Sequence, residues 1–155
     1  MHIVLVEPEI PGNTGNIARL CAATGASLHL VRPLGFSVDD RYLKRAGLDY
    51  WHLVDIHYYD SVEEVLAAYP DAPRFLLTIH AHRSYTRVEY TKDSLLIFGK
   101  ESAGLPEAFR MAHEDECIRI PMVPEARSLN LANSVSIVLY EALRQVHFDL
   151  EEGTI

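Results

Sequence analysis

The chain has 155 residues, 48% of them hydrophobic and 23% charged, with a formal net charge of −8. That length and balance fit one globular domain with a single core and exclude a disordered chain. No apolar run reaches the roughly 20 residues that span a bilayer, the N-terminus lacks the marks of a signal peptide, and an acidic balance speaks against indiscriminate coating of nucleic acid, so a cytoplasmic domain is expected.

In chain order, residues 3–6 are a continuous apolar run, as in a strand buried on both faces. The turn PEIPGNT follows, and Asn13 is placed to cap a helix that ends at Gly25. Residues 28–31 form a second strand, followed by the loop PLGF. Asp39 and Asp40 open a polar helix with basic residues toward its end and Gly47 as its stop. Residues 52–59 alternate loosely as a strand, and Ser61 with Glu64 has capping-box spacing before the helical stretch VLAAY. Further buried strands are expected over 75–79, 95–98 and 117–120. The last helix spans about 130–146, and Ile137 widens its apolar arc beyond one stripe, so its second side calls for cover that another subunit would supply.

Strands apolar throughout, with helices between them, point to an α/β fold: a mostly parallel sheet flanked by helices on both faces, in a single domain over 1–155. Such sheets bind ligands beyond the C-terminal ends of their strands, which singles out the segments starting at Thr78, Gly99 and Ile120. Cys21 and Cys117 lie far apart in apolar surroundings, the pattern of buried thiols rather than of a disulfide or a zinc site. The eight histidines show no metal-ligand spacing. Two basic clusters, one of Arg32, Arg41, Lys44 and Arg45 and one of His80, His82, Arg83 and Arg87, read equally well as solvated faces or as a local basic patch.

Three segments carry candidate chemistry. GKESAGLP, residues 99–106, places Glu101 between Gly99 and Gly104, where the backbone can approach a ligand or take positive φ. It is not a phosphate-binding loop, because the lysine follows the first glycine and precedes an acid; a neutral or cationic ligand suits it better, and a plain turn before a helix at Pro106 suits it equally. PGNTGNIAR, residues 11–19, lacks the third glycine of a dinucleotide fingerprint and sets Arg19 on an otherwise apolar helix, as a surface arginine or a phosphate contact. In IPMVPEARSLNLANSVSIVL, residues 120–139, Pro121 and Pro124 stiffen a loop that meets the last helix at Ser128 and Asn130. Such a junction is either a well-capped helix start or a place that presents backbone groups to a small molecule.

Asn13-x-Gly15-x-x-x-Arg19, then Gly99-x-Glu101-x-x-Gly104-Leu-Pro, then Ile120-Pro-Met-x-Pro with Ser128-Leu-Asn130-x-x-Asn133, resemble in order the three motifs of the SPOUT RNA methyltransferases of the ribose 2′-O type. Within that group, EPEIPGNTGNIARLCA, RAGLDYW and the last junction look like the tRNA wobble-nucleotide 2′-O-methyltransferases, over essentially the whole chain. Lys100 departs from the GPE-type loop of some members.

The resemblance implies a SPOUT fold with a C-terminal trefoil knot, a homodimer, and S-adenosylmethionine held by three loops, with no metal. The implied reaction is transfer of a methyl group to the ribose 2′-hydroxyl of the wobble nucleotide, cytidine or a modified uridine, of leucine tRNAs. Carried over residue by residue, the cofactor positions fall on Leu77, Thr78, Gly99, Gly104, Ile120, Ser128 and Leu129. Arg19 falls on the catalytic arginine. A guanidinium stays protonated, so its expected work is to clamp the nucleotide's phosphate and stabilise charge on the 2′-oxygen. Asn13, Arg41 and Asn130 are expected at the substrate, with Lys44 and Arg45 beside Arg41 on the RNA backbone; Asn13, Ser128 and Asn130 would hold the ribose or the methionine moiety, and each reads equally as a helix cap. Glu101 would favour a sulfonium electrostatically, and Tyr140 sits on the implied dimer helix, as an interface or a core residue. The rivals are a related enzyme acting on another tRNA or rRNA nucleotide, a knotted RNA-binding protein without turnover, and a generic nucleotide-binding domain.

Overall fold

The computed structural model describes residues 1–37, 41, 45 and 49–146. The helix expected to open at Asp39 and Asp40 and the tail after Val146 therefore fall outside the described residues, apart from Arg41 and Arg45. The elements are β1 (His2–Val6), α1 (Pro11–Thr24), β2 (Ser27–Val31), a single turn α2 (Asp49–Trp51), β3 (Ile56–Tyr59), α3 (Val62–Ala68), β4 (Arg74–Leu77), β5 (Leu95–Phe98), α4 (Glu107–Ala112), a 3₁₀ turn (Glu114–Glu116), β6 (Cys117–Ile118) and α5 (Leu131–Gln145). All adjacent strands pair in parallel, in the order β3-β2-β1-β5-β4-β6. The expected α/β architecture is therefore present.

The side-chain alternation of a strand divides the apolar residues between two layers. Ile3, Leu5, Leu28, Leu30, Leu96 and Phe98 face α1 and α5, where they meet Ile17, Cys21, Val135 and Leu139. Val4, Val6, Val31, Leu95 and Ile97 face the other way, onto Val62 and Val65 of α3 and onto Leu105. Both faces of β1 and β5 are covered, which is why their sequences read as unbroken apolar runs rather than alternations. Each of the fully buried leucines and isoleucines contributes about 1.5–3 kcal/mol by leaving water. Cys21 and Cys117 are buried free thiols, and burial pushes the Cys21 pKa up to about 12.

Several boundaries differ from the sequence expectation. Asn13 is not the cap of α1: the helix starts at Pro11, whose missing N–H costs nothing at that position, and Ile10 is the N-cap without a side-chain bond. Gly25, with φ of 73°, closes the helix in the left-handed region. Strand β3 begins only at Ile56, since Leu53 N and Val54 N extend the preceding helical turn by bonding to Tyr50 O and Trp51 O. Strand β4 stops at Leu77, because the next residue, Thr78, folds into a turn in which its hydroxyl accepts from His80 N. Strand β6 is only Cys117–Ile118, because Arg119 leaves β4 and pairs with the segment around Ser84 instead. The cap at Ser61 forms as expected, with Glu64 N donating to Ser61 Oγ at 3.3 Å, while the return bond of the box shifts by one residue: the Glu64 carboxylate accepts from Asp60 N at 2.9 Å rather than from Ser61 N.

Helix α5 starts one residue after Asn130, whose side-chain oxygen accepts from Asn133 N at 3.2 Å. Its buried side packs on α1 and β5. Its outer side carries Asn133, Ile137, Tyr140 and Arg144 in one exposed stripe, so Tyr140 is not a core residue of this chain.

Candidate functional site

The segments that follow β1, β4, β5 and β6 line one cleft of about 1000 Å³. Leu77, Thr78, Gly99, Gly104, Ile120, Ser128 and Leu129 all border it, together with Asn13 and Asn130. The strand ends chosen from the sequence therefore converge, as the parallel order with β1 beside β5 requires at the point where the chain changes direction across the sheet.

The loop after β5 is built by its glycines. Gly104 takes φ of +70° and donates its N–H to Lys100 O at 2.8 Å, closing a tight turn. A Cβ on Gly99 would overlap the backbone of Gly104 and Leu105, so Gly99 has to be glycine for the loop to close on itself. The closed turn carries Glu101 and Ser102 toward the segment after β1. There the Glu101 carboxylate accepts from Glu9 N at 2.7 Å, Ile10 N at 3.0 Å and Asn13 Nδ2 at 3.2 Å. In return, Ser102 donates its N–H and its hydroxyl to the Glu9 carboxylate, both at 2.9 Å, which holds the Glu9 carboxyl below its ordinary pKa. Lys100 Nζ lies 3.2 Å from Glu7 Oε2, and Glu7 itself sits at φ of 53°, a conformation uncommon outside glycine.

The third loop joins this assembly through one side chain. Asn130 Nδ2 donates to Asn13 Oδ1 at 3.0 Å, so the segments after β1, β5 and β6 are tied by Glu101, Asn13 and Asn130. Glu101 is thereby engaged by three donors at the start of α1, and its work is to anchor that turn as much as to colour the cleft's charge. Residues 123–130 of the third loop are exposed in the single chain, Val123 at 66% and Leu129 at 39%.

The walls combine apolar side chains, including Leu77, Phe98 and Ile120, with both signs of charge. Glu7, Glu101 and Glu107 stand against Lys100, Arg110 and Arg127, and Lys100 is already paired. Such a lining suits a ligand with an apolar ring and a zwitterionic end rather than a polyphosphate. Among the described residues no group of three or more histidine, cysteine or acidic side chains is placed to hold a metal ion, and no helix is long and apolar enough to cross a membrane.

Other expected residues lie apart from the cleft. Arg19 is on the exposed side of α1, its guanidinium carbon 5.0 Å from the centre of the Tyr50 ring, and does not line the cleft. Arg41 and Arg45 are exposed and Lys44 is outside the described residues, whereas Arg32 pairs with Asp60 at 3.2 Å. Of the second basic cluster, His80 borders the cleft and Arg83 donates to Asp115 O. Sequence reasoning missed Glu7, Glu9, Ser102, Arg110 and Arg127 as parts of the site; the two acids of EPE directly after a buried strand were the available signal for the first pair.

Comparison with known proteins agrees with this architecture. A Bacillus subtilis (strain 168) protein provisionally named tRNA (cytidine(34)-2′-O)-methyltransferase is 50% identical over 151 residues, 96% of this chain and 94% of that protein. A structure solved in work on the 2-OH methylation of C/U34 on tRNA superposes with a TM-score of 0.87 and 46% identity, over 93% of this chain and 94% of that one. The SpoU methyltransferase AviRb from Streptomyces viridochromogenes, in complex with the cofactor AdoMet, superposes with a TM-score of 0.80 at 30% identity, over 94% of this chain and 60% of that one. Residues 1–140 match the SpoU rRNA methylase family, and with three strand-end loops tied around one cleft on a parallel sheet, the chain belongs to that family.

Proposed function

We propose that this protein methylates the ribose 2′-hydroxyl of the wobble nucleotide of tRNA, a cytidine or a modified uridine, and that leucine tRNAs are its substrates. The observation that carries the proposal is similarity along the whole chain to proteins named for methylation at position 34, together with a cleft tied by residues of all three motifs. When bound, S-adenosylmethionine supplies a methyl group already activated by its sulfonium. The cleft fits that ligand: Leu77 and Ile120 offer an apolar wall for a purine, and the mixed charge of Glu101, Glu107, Arg110 and Arg127 suits an amino-acid end and a cation. Gly99, Gly104, Thr78, Ser128 and Leu129 would hold it through the loops.

What remains for the protein is positioning and charge at the 2′-oxygen. Arg19 takes that part by holding the nucleotide's phosphate and stabilising the negative charge that develops on the 2′-oxygen. Its exposure outside the cleft fits a site completed by a second copy of the chain, with Arg19 and the basic residues of one protomer serving the cleft of the other. The exposed stripe of Ile137 and Tyr140 on α5 and the exposed third loop are the surfaces that such a homodimer would cover. The path of the chain from edge strand β6, past the loops after β4 and β5, to a helix packed on β5 and α1 is compatible with a C-terminal trefoil knot. A tRNA substrate and two free thiols fit a cytoplasmic enzyme.

The test is transfer of labelled methyl groups from S-adenosylmethionine into an unmodified tRNA pool, followed by nucleotide mapping. Label at the wobble ribose of leucine tRNAs is expected. Label at another nucleotide would replace the substrate assignment, and absence of S-adenosylmethionine binding in calorimetry would overturn the enzyme reading. A monomer in solution, with activity intact, would overturn the shared site.

A further inference from the structure

The bonds joining Glu101, Asn13 and Asn130 have a direction. Asn133 N–H can only donate, so the Asn130 atom facing it at 3.2 Å is the oxygen, which turns Asn130 Nδ2 toward Asn13. The Asn13 atom 3.0 Å away must then be its oxygen, which turns Asn13 Nδ2 toward Glu101 Oε1 at 3.2 Å. An ionised carboxylate can only accept. Both ends of the chain thus demand the same orientation of both amides, and no amide can turn over alone without setting donor against donor or acceptor against acceptor. Asn13 is only 7% exposed, so water cannot relieve a mismatch at the middle position.

We propose that Glu101 is a positioning residue that acts through Asn13 to fix the amide of Asn130, and that Asn130 held in this way presents its remaining N–H to an acceptor oxygen of the ligand in the cleft. Asn13 is then a transmitter between loops rather than a substrate contact. Glu101 and Asn130 belong to loops after different strands, and Asn13 is the side chain that touches both. The proposal rests on the methyltransferase reading of the cleft for its activity readout, but the relay itself is legible in ligand binding and stability.

The geometry predicts an unusual, partial rescue. In Asn130→Asp the new carboxylate still caps α5 but sets an oxygen against Asn13 Oδ1, and Asn13 cannot turn because its oxygen would then meet Glu101. In Glu101→Gln the amide oxygen can stay on Ile10 N and Asn13, so only the bond from Glu9 N is lost. Combined, the two changes let the glutamine and Asn13 turn over together: Gln Nε2 takes the place of Glu101 Oε1 and donates to Asn13 Oδ1, giving up the bond from Ile10 N while the amide oxygen keeps the one from Glu9 N, and Asn13 Nδ2 donates to the aspartate. A mutation across the cleft therefore repairs one it does not touch. Asn13→Asp is repaired by the same Glu101→Gln change, since the aspartate then accepts from both neighbours.

The experiment measures kcat at saturating tRNA and S-adenosylmethionine, cofactor affinity by calorimetry, and the thermal midpoint for the wild type, the three single variants and the two double variants. Expected are a loss of a few-fold in kcat for E101Q, about 100-fold for N130D and N13D, and recovery of at least about tenfold in each double variant, as strongly coupled neighbours show. Should N130D fail to fold, the N13D and E101Q pair carries the same test. Doubles whose losses multiply, in a folded and active wild-type background, overturn the relay. A wild type that binds S-adenosylmethionine but methylates no tRNA overturns the functional reading instead, and the relay is then decided by cofactor affinity and thermal midpoint across the same variants.

Discussion

His29 predicts a specific acid lability. It is fully buried on β2, one strand in from the edge of the sheet and on the face opposite α1, with its Nε2 3.0 Å from His2 Nδ1 and its ring stacked on His57 at 5.0 Å. Tyr59 and Tyr69 complete the packing, and the nearest acid, Asp55, is paired with His57 at 2.9 Å. Its Nδ1 is buried without a partner, so a second proton there would have no acceptor. Burial, and then the neighbouring His2 and His57, push the His29 pKa from 6.5 down to about 3. The unfolded chain takes up that proton near pH 6.5 and the folded chain does not, so the stability contribution is complete above that value and drains away as pH falls toward about 3. At about 1.4 kcal/mol per pH unit per proton, the loss between about pH 7 and about pH 5 is about 2 kcal/mol. His2, also held low by burial, adds in the same direction. The assay is urea unfolding followed by the fluorescence of Trp51, the single tryptophan, at fixed protein concentration so that association does not shift the midpoint. His29→Phe keeps an aromatic ring against His57 and should flatten the pH dependence by about the same 2 kcal/mol. Parallel curves for the two proteins over that interval would refute a buried, neutral His29.

Gly99→Ala should abolish S-adenosylmethionine binding in calorimetry and cost about 1–3 kcal/mol or more of stability, because the added methyl group overlaps the backbone of Gly104 and Leu105. Arg19→Lys should lower kcat about 100-fold in the labelled methyl-transfer assay while leaving cofactor affinity near wild type, since a lysine cannot form the bidentate clamp; nearly full turnover would remove that role. Tyr140→Asp, at a position 48% exposed in the single chain, should shift the protein from dimer to monomer in sedimentation, and an unchanged mass would move the interface away from this stripe of α5.

The parts of this fold that could be read from the sequence are those with a short-range cause. The buried strands were visible because a sheet covered on both faces has no polar position to spare, and residues 95–98 are all buried in β5. The Ser61–Glu64 box could be read because both partners lie within one helical turn. Even the position of the cleft followed from local signals, since parallel strands put their ligands at their C-terminal ends and the expected loops begin there. Edges were misplaced where a distant segment competed. Strand β6 ends early because Arg119 is taken up by residues 83–85, a pairing with no trace in the local pattern.

Asn13 shows why the interior of the site was harder to read than its position. An asparagine at the start of a helix is most simply a cap, and the first-turn amides do need an acceptor. Here Glu101, 91 residues further along the chain from Ile10, accepts instead from Glu9 N and Ile10 N, the two amides just ahead of the helix. Freed from capping, Asn13 turns inward and bonds to two other loops. The exchange also explains how a tight glycine loop with no room for a side chain at Gly99 can organise a cleft: its rigidity is transmitted by one carboxylate to the start of α1, and by one amide onward to the start of α5. Periodicity cannot encode such a link, because each residue in it satisfies a partner that only the folded topology brings near.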